Sequence, residues 1–247
     1  MFPIGTVTFL FTDIEGSIRL WEQNPEAMKS ALAKHDLILR ENIESRHGHV
    51  IKTTGDGIHA VFMTAADGVN ASVAIQRALL APFLIINSSF TLKVRMGLHT
   101  GEAELRDGDY YGTVLNRAAR LMSSAHGGQI LISNATAELL REQLPAEITL
   151  RDLGEYRLKD LTRLEHIYQV YHPDLSNEFP PIKTLDAFLN NLPVQLTSFI
   201  GREKEIDQIK ASLSAARLVT LTGSGGTGKT RLSQEVGSKL LTNFQHG

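Results

Sequence analysis

Val50-Ile51-Lys52-Thr53-Thr54-Gly55-Asp56-Gly57-Ile58-His59-Ala60-Val61-Phe62 reads as two apolar strands, Val50 to Thr54 and Ile58 to Phe62, joined by a glycine-flanked acid. Gly-Asp-Gly is turn chemistry, so the segment is a β-hairpin with Asp56 at its tip. Upstream, Glu26 to about Arg46 has the polar–apolar spacing of an amphipathic helix, and His47-Gly48 closes it with glycine just past the last periodic residue. Before that helix lies a strand-like run, Thr6 to Thr12, which ends in Asp13 and leads into Glu15-Gly16-Ser17. Downstream, Ala66 to Leu80 is helical in spacing and Leu92 to Leu98 is a strand; a loop rich in Asp and Gly precedes a third helix, Thr113 to Ser124, and a strand, Gln129 to Ile132. The βαββαβ order predicts an α+β sandwich of the ferredoxin-like kind.

Two acids thus stand directly at the ends of strand-like runs, Asp13 and Asp56. Carboxylates at the ends of neighbouring strands can hold divalent cations on a nucleotide triphosphate, and neither acid has the nearby His or Cys that zinc would call for. For either acid alone a capping or turn role explains the sequence as well. On the third helix, Asn116 and Arg120 lie four apart and share a face. An amide there can meet a ribose oxygen and a guanidinium a phosphate; Arg117 points elsewhere and reads as a solvated position. His99 has no local partner to orient it and reads as structural, and Trp21, Phe9 and Phe11 read as core.

Four motifs together, Phe11 to Ser17, Lys52 to Gly57, Gly97-Leu98-His99-Thr100-Gly101-Glu102 and Gly112 to Arg120, resemble the catalytic domain of the class III nucleotidyl cyclases over residues 5–171. The resemblance is greatest to the bacterial subgroup in which this domain precedes a P-loop ATPase module. It implies that Asp13, Ile14 and Asp56 are metal positions for two Mg²⁺ or Mn²⁺ ions. It implies that Lys52 and Asp109 read the base and that Asn116 and Arg120 orient the ribose and stabilise charge on the α-phosphate. Lys159, with Arg163 as the alternate, falls where the family brings a lysine to the triphosphate. Lys at 52 and Asp at 109 suit the ring nitrogen and exocyclic amine of adenine, where guanylate cyclases of the family carry Glu and Cys. The implied activity is an adenylate cyclase, a lyase that forms 3′,5′-cyclic AMP and pyrophosphate from ATP. The implied assembly is a homodimer with shared active sites, because each required residue type occurs once. A nucleotide-sensing module without turnover and a guanylate cyclase are the competing readings.

After Tyr171 the chain changes character. Residues 172–197 carry Pro173, Pro180, Pro181 and Pro193 and read as a linker. Residues 198–247 hold a helix over Ile206 to Leu213, a strand over Arg217 to Thr222, and Gly223-Ser224-Gly225-Gly226-Thr227-Gly228-Lys229-Thr230, a fit to G-x-x-x-x-G-K-[ST]. Backbone amides around Gly223 and Gly228 would cradle the phosphates of a second ATP, with Lys229 on the terminal ones and Thr230 on Mg²⁺. Together with Phe199-Ile200-Gly201-Arg202-Glu203, this part resembles the opening of a signal-transduction ATPase of AAA-like or NB-ARC-like type. It lacks the acidic strand that hydrolysis needs.

The 247 residues are 42% hydrophobic and 21% charged with net charge −2, which gives no basic surface for nucleic acid. No cysteine is present, so disulfides and thiolate metal sites are excluded. Met1 to Gly5 has no basic leader, and the apolar run Ala81 to Ile86 is too short to span a bilayer, so a cytoplasmic location without membrane attachment is expected.

Overall fold

The computed structural model describes residues 2–81, 83–85, 88–141, 144, 147–161, 163–184, 199 and 201–240. They fall into two units, residues 1–187 and 188–247. The first unit runs β1 (Gly5–Ile14), α1 (Ser17–Gln23), α2 (Pro25–Glu44), β2 (His49–Thr54), β3 (Gly57–Phe62), α3 (Ala65–Leu79), β4 (Phe83–Ile85), β5 (Ser88–Phe90), β6 (Val94–Arg106), β7 (Asp109–Tyr111), α4 (Thr113–Ser124), β8 (Ile130–Ser133), α5 (Asn134–Leu140), β9 (Thr149–Tyr156) and β10 (Glu165–Tyr171).

The main sheet is ordered β2-β3-β1-β6-β8-β10-β9, with β7 paired to β6. Its first four strands are antiparallel neighbours and, with α2 and α3, make the ferredoxin-like βαββαβ unit that the periodicity predicts. Strand β8 then joins β6 in parallel, and β10 and β9 extend the sheet.

Strand β1 is central because its sequence is apolar on both faces. Leu10 and Ile14 pack with Met28, Leu39 and Ile43 of α2 and Val69 and Ile75 of α3. Val7, Phe9 and Phe11 pack on the opposite face with Val114 and Ala118 of α4. Helix α2 starts cleanly: Pro25 occupies the first turn, where its missing N–H costs nothing, and the Asn24 side chain accepts from Ala27 N at 3.1 Å.

Several elements differ from the sequence reading. Strand β6 continues past Leu98 to Arg106, and the Asp/Gly-rich loop is a hairpin whose turn residues, Asp107 and Gly108, both have positive φ (53° and 79°). Trp21, expected in the core, is 36% exposed. Residues 172–184, expected to be linker, belong to the first unit: Ile182 is 3% exposed among Leu121, Ala125, Leu131, Leu158 and Ile167. The remainder of the expected linker lies outside the described residues.

The second unit holds α6 (Glu203–Ala215) and α7 (Lys229–Leu240), which meet through Ile206, Leu232 and Val236. No strand forms over 217–222, because the described residues of this unit offer no second strand to satisfy its backbone N–H and C=O groups. Among the described residues no helix is long and apolar enough to cross a membrane.

Candidate functional site

The ends of β1 and of the β2–β3 hairpin meet because Gly57 has no side chain. A Cβ there would lie 2.2 Å from the Thr12 carbonyl oxygen. The Thr12 hydroxyl closes the junction, accepting from Ile58 N at 2.9 Å and donating to Ile58 O at 3.3 Å. Asp13 and Asp56 therefore sit on adjacent strand ends. Asp13 Oδ2 receives Arg95 Nη2 at 2.6 Å and Arg95 Nε at 2.7 Å from the neighbouring β6. Burial pushes the Asp13 carboxyl above its usual range; Arg95 opposes this and the charge of Asp56 adds to it. Asp56 Oδ2 is buried with no hydrogen-bond partner among the described residues. A buried, unpaired carboxylate oxygen beside a second carboxylate fits a hard divalent cation. No group of three or more His, Cys, Asp or Glu that could hold a metal ion occurs among the described residues, so the rest of such a shell would come from carbonyl oxygen, as at Ile14, and from phosphate.

Strand β2, four residues before Asp56, carries one member of a polar pair. Lys52 Nζ donates to Asp109 Oδ2 at 2.7 Å, and Asp109 Oδ1 accepts from Tyr110 N at 2.8 Å. The bond from Lys52 is the main reason the Asp109 carboxyl lies below its usual range. The β6–β7 hairpin delivers Asp109, and Lys52 stands opposite His59 in the β2–β3 register. His59 stacks on Phe11 with ring centroids 3.6 Å apart, and burial, helped by the Lys52 charge, lowers its pKa to about 4. Sequence reasoning passed over His59, although counting back from the Gly55-Asp56-Gly57 turn pairs it with Lys52.

Helix α4 carries Asn116 and Arg120 and lies close on β6, because a Cβ at Gly97 would come within 2.2 Å of Met122 N. Asn116 is exposed, and Arg120 Nη2 meets Asp160 Oδ2 at 2.5 Å. Asp160, with φ 62°, follows the exposed Lys159, so the 157–161 loop is tied to the helix one residue from that lysine. Arg117, read as solvated, instead pairs at 3.4 Å with Glu165, whose buried carboxyl is raised above its usual range. His99 is buried and bonds Ser133 Oγ through Nδ1 at 2.7 Å, a long-range partner invisible in sequence. In the second unit Lys229 Nζ donates to the carbonyls of Gly223 (2.8 Å) and Ser224 (2.6 Å), folding the lysine onto its own loop. Gly228 has φ 75°, and Thr230 lies in the first turn of α7.

A sequence model of the adenylate and guanylate cyclase catalytic domain matches residues 1–171. The chain belongs to this family. An uncharacterized protein of Mycobacterium tuberculosis is 41% identical to this cyclase domain protein over 207 residues, covering 83% of this chain and 70% of that protein. The adenylate cyclase of Neurospora crassa is 33% identical over 223 residues, 68% of this chain but 10% of that protein. Among solved structures, an adenylate cyclase from Trypanosoma brucei in its monomeric state superposes with a TM-score of 0.64 at 26% identity, covering 73% of this chain and 94% of that one. The nucleotidyl cyclase fold is thus shared by sequence and by shape.

Proposed function

We propose that this cyclase domain converts ATP to 3′,5′-cyclic AMP and pyrophosphate, in a homodimer whose two active sites are each shared between protomers. The observation that carries the adenine preference is the Lys52–Asp109 pair at 2.7 Å. Its ammonium and carboxylate complement an acceptor ring nitrogen and a donor exocyclic amine, and the pair holds both groups in place before the base arrives.

In this reading Asp13 and Asp56, with the Ile14 carbonyl, hold two Mg²⁺ or Mn²⁺ ions. When bound, such ions lower the pKa of the ribose 3′-hydroxyl and offset the triphosphate charge. Asn116 of the other protomer orients the ribose so that its 3′-oxygen lies in line with the α-phosphorus. The 3′-hydroxyl gives its proton to solvent, the new bond joins its oxygen to the α-phosphorus, and the bond to the bridging oxygen of the β-phosphate breaks to release pyrophosphate. Arg120 exchanges Asp160 for the oxygens of the α-phosphate as charge builds there. Lys159, beside Asp160, serves the leaving β- and γ-phosphates. We place the catalytic domain at residues 1–171 and assign Gly223, Gly228, Lys229 and Thr230 to a second triphosphate site, the start of a P-loop ATPase domain over residues 198–247.

The test is turnover of ATP and of GTP by the purified chain with Mn²⁺, read as cyclic nucleotide. Cyclic AMP formed in preference to cyclic GMP is expected. Preference for GTP refutes the adenine assignment, and no product from either substrate refutes the enzyme.

A further inference from the structure

The family match ends at residue 171, yet the end of β1 that carries Asp13 and Ile14 is held from beyond it. Glu15, next in the chain after Ile14, directs its carboxylate at two other elements. Its Oε2 accepts from Gly127 N at 3.1 Å, in the loop after α4, and its Oε1 takes the Lys183 ammonium. The Glu15 backbone N–H donates to Lys93 O at 2.9 Å, just before β6. The seat for this carboxylate is specific in shape: a Cβ on Gly127 would lie 2.8 Å from Glu15 Oε2 and 2.5 Å from Lys93 Cβ.

Lys183 is itself fixed. Its backbone N–H donates to Ser124 O at 2.9 Å at the last residue of α4, its neighbour Ile182 is buried, and His126 Nε2 bonds Pro181 O at 3.0 Å. The buried Ile182 and these two hydrogen bonds hold the segment against the domain without the ammonium. The ammonium adds something else, a charge-assisted bond to the residue that follows the candidate metal-binding end of β1.

We propose that Lys183 and Glu15 are positioning residues that pin the metal-binding end of β1 to the end of α4, so that a segment beyond the family match tunes its cation affinity. The proposal rests on Asp13, Ile14 and Asp56 being the cation ligands. Lys183 also lies on the stretch of chain that leads from the family match to the P-loop motif. Both side chains are partly exposed, 42% for Lys183 and 34% for Glu15, so the pin is modest and sensitive to salt.

The experiment uses the 247-residue chain and its Lys183→Met, Lys183→Arg and Glu15→Gln variants. Mn²⁺ is titrated in the presence of 3′-deoxy-ATP, which cannot cyclise, and free Mn²⁺ is read by electron paramagnetic resonance. Lys183→Met and Glu15→Gln should each weaken Mn²⁺ binding about threefold to fivefold. Lys183→Arg should restore it, and the half-saturating Mn²⁺ concentration for turnover should move while turnover at saturating Mn²⁺ stays. Parental Mn²⁺ affinity in both variants overturns the pin, as does a fall in thermal midpoint with no change in Mn²⁺ affinity, which marks a structural bond only. Glu15→Gln keeps the size of the side chain and its bond to Gly127, so it decides the matter if Lys183→Met does not fold. An unsubstituted chain that binds no Mn²⁺ overturns the cation assignment together with the pin, whereas binding unaffected by the variants overturns the pin alone.

Discussion

Replacing Gly97 by alanine tests how α4 is placed. The added Cβ would fall 2.2 Å from Met122 N and 2.8 Å from both Met122 Cα and Ala118 O. These are backbone atoms, so no rotamer change relieves the clash. Gly97 cannot retreat either: it is paired to Phe11 on one side and Leu131 on the other, between the fully buried Met96 and Leu98. Relief to ordinary contact at about 3.5 Å requires the helix to move outward by about 1 Å. Overpacking of this kind costs about 1–3 kcal/mol. In a domain of this size that lowers the melting temperature by roughly 2–12 °C. Asn116 and Arg120 ride on the same helix, and a shift of about 1 Å at reacting groups costs on the order of a hundredfold in rate. The assay is thermal unfolding by circular dichroism alongside kcat/KM for cyclic nucleotide formation. A Gly97→Ala chain that melts within ~1 °C of the parent and turns over equally well refutes the claim that this close approach sets the helix position.

Two further outcomes are expected. Asp13→Ala and Asn116→Ala chains, each inactive alone, should regain activity on mixing, since one composite site of the mixed dimer keeps both halves; no recovery in the mixture speaks against shared sites. His99 has its pKa lowered from 6.5 to about 4, chiefly by burial, so between those pH values the unfolded imidazole is charged while the folded one is neutral. Stability therefore falls as pH drops through this window, by about 1.4 kcal/mol per pH unit for this residue at the steepest. His99→Gln should flatten the slope in urea titrations between pH 6.5 and pH 4, and an unchanged slope refutes the burial argument.

Local chemistry made part of this molecule legible. Gly55-Asp56-Gly57 announces a hairpin, the period of α2 shows which face it buries, and Gly112 to Arg120 shows that Asn116 and Arg120 share a helix face. The same reasoning placed Asp109 in a loop, although Asp107-Gly108 is a hairpin turn; the alternation in Glu102 to Leu105 was the overlooked signal. What stayed hidden is the partner of each residue. Arg95 on Asp13 and Ser133 on His99 join neighbouring strands, and Asp160 on Arg120 and Glu165 on Arg117 join α4 to segments far along the chain. No periodicity encodes these contacts, because they exist only once the strand order is fixed. Trp21 failed for the opposite reason: its size suggested burial, but α1 buries none of its residues.

The Thr12–Ile58 junction brings Asp13 and Asp56 together only when β1 lies between β3 and β6, so these acids are strangers in the unfolded chain. A divalent ion held there would have no comparable site in the denatured ensemble, and its whole binding energy would weigh on the folding equilibrium. At a hundred times its Kd it would add about 2.7 kcal/mol to the stability of the sheet. The centre of the sheet and its bound ion would then be lost in one cooperative event, with cellular Mg²⁺ or Mn²⁺ setting how long the domain survives as well as how fast it works.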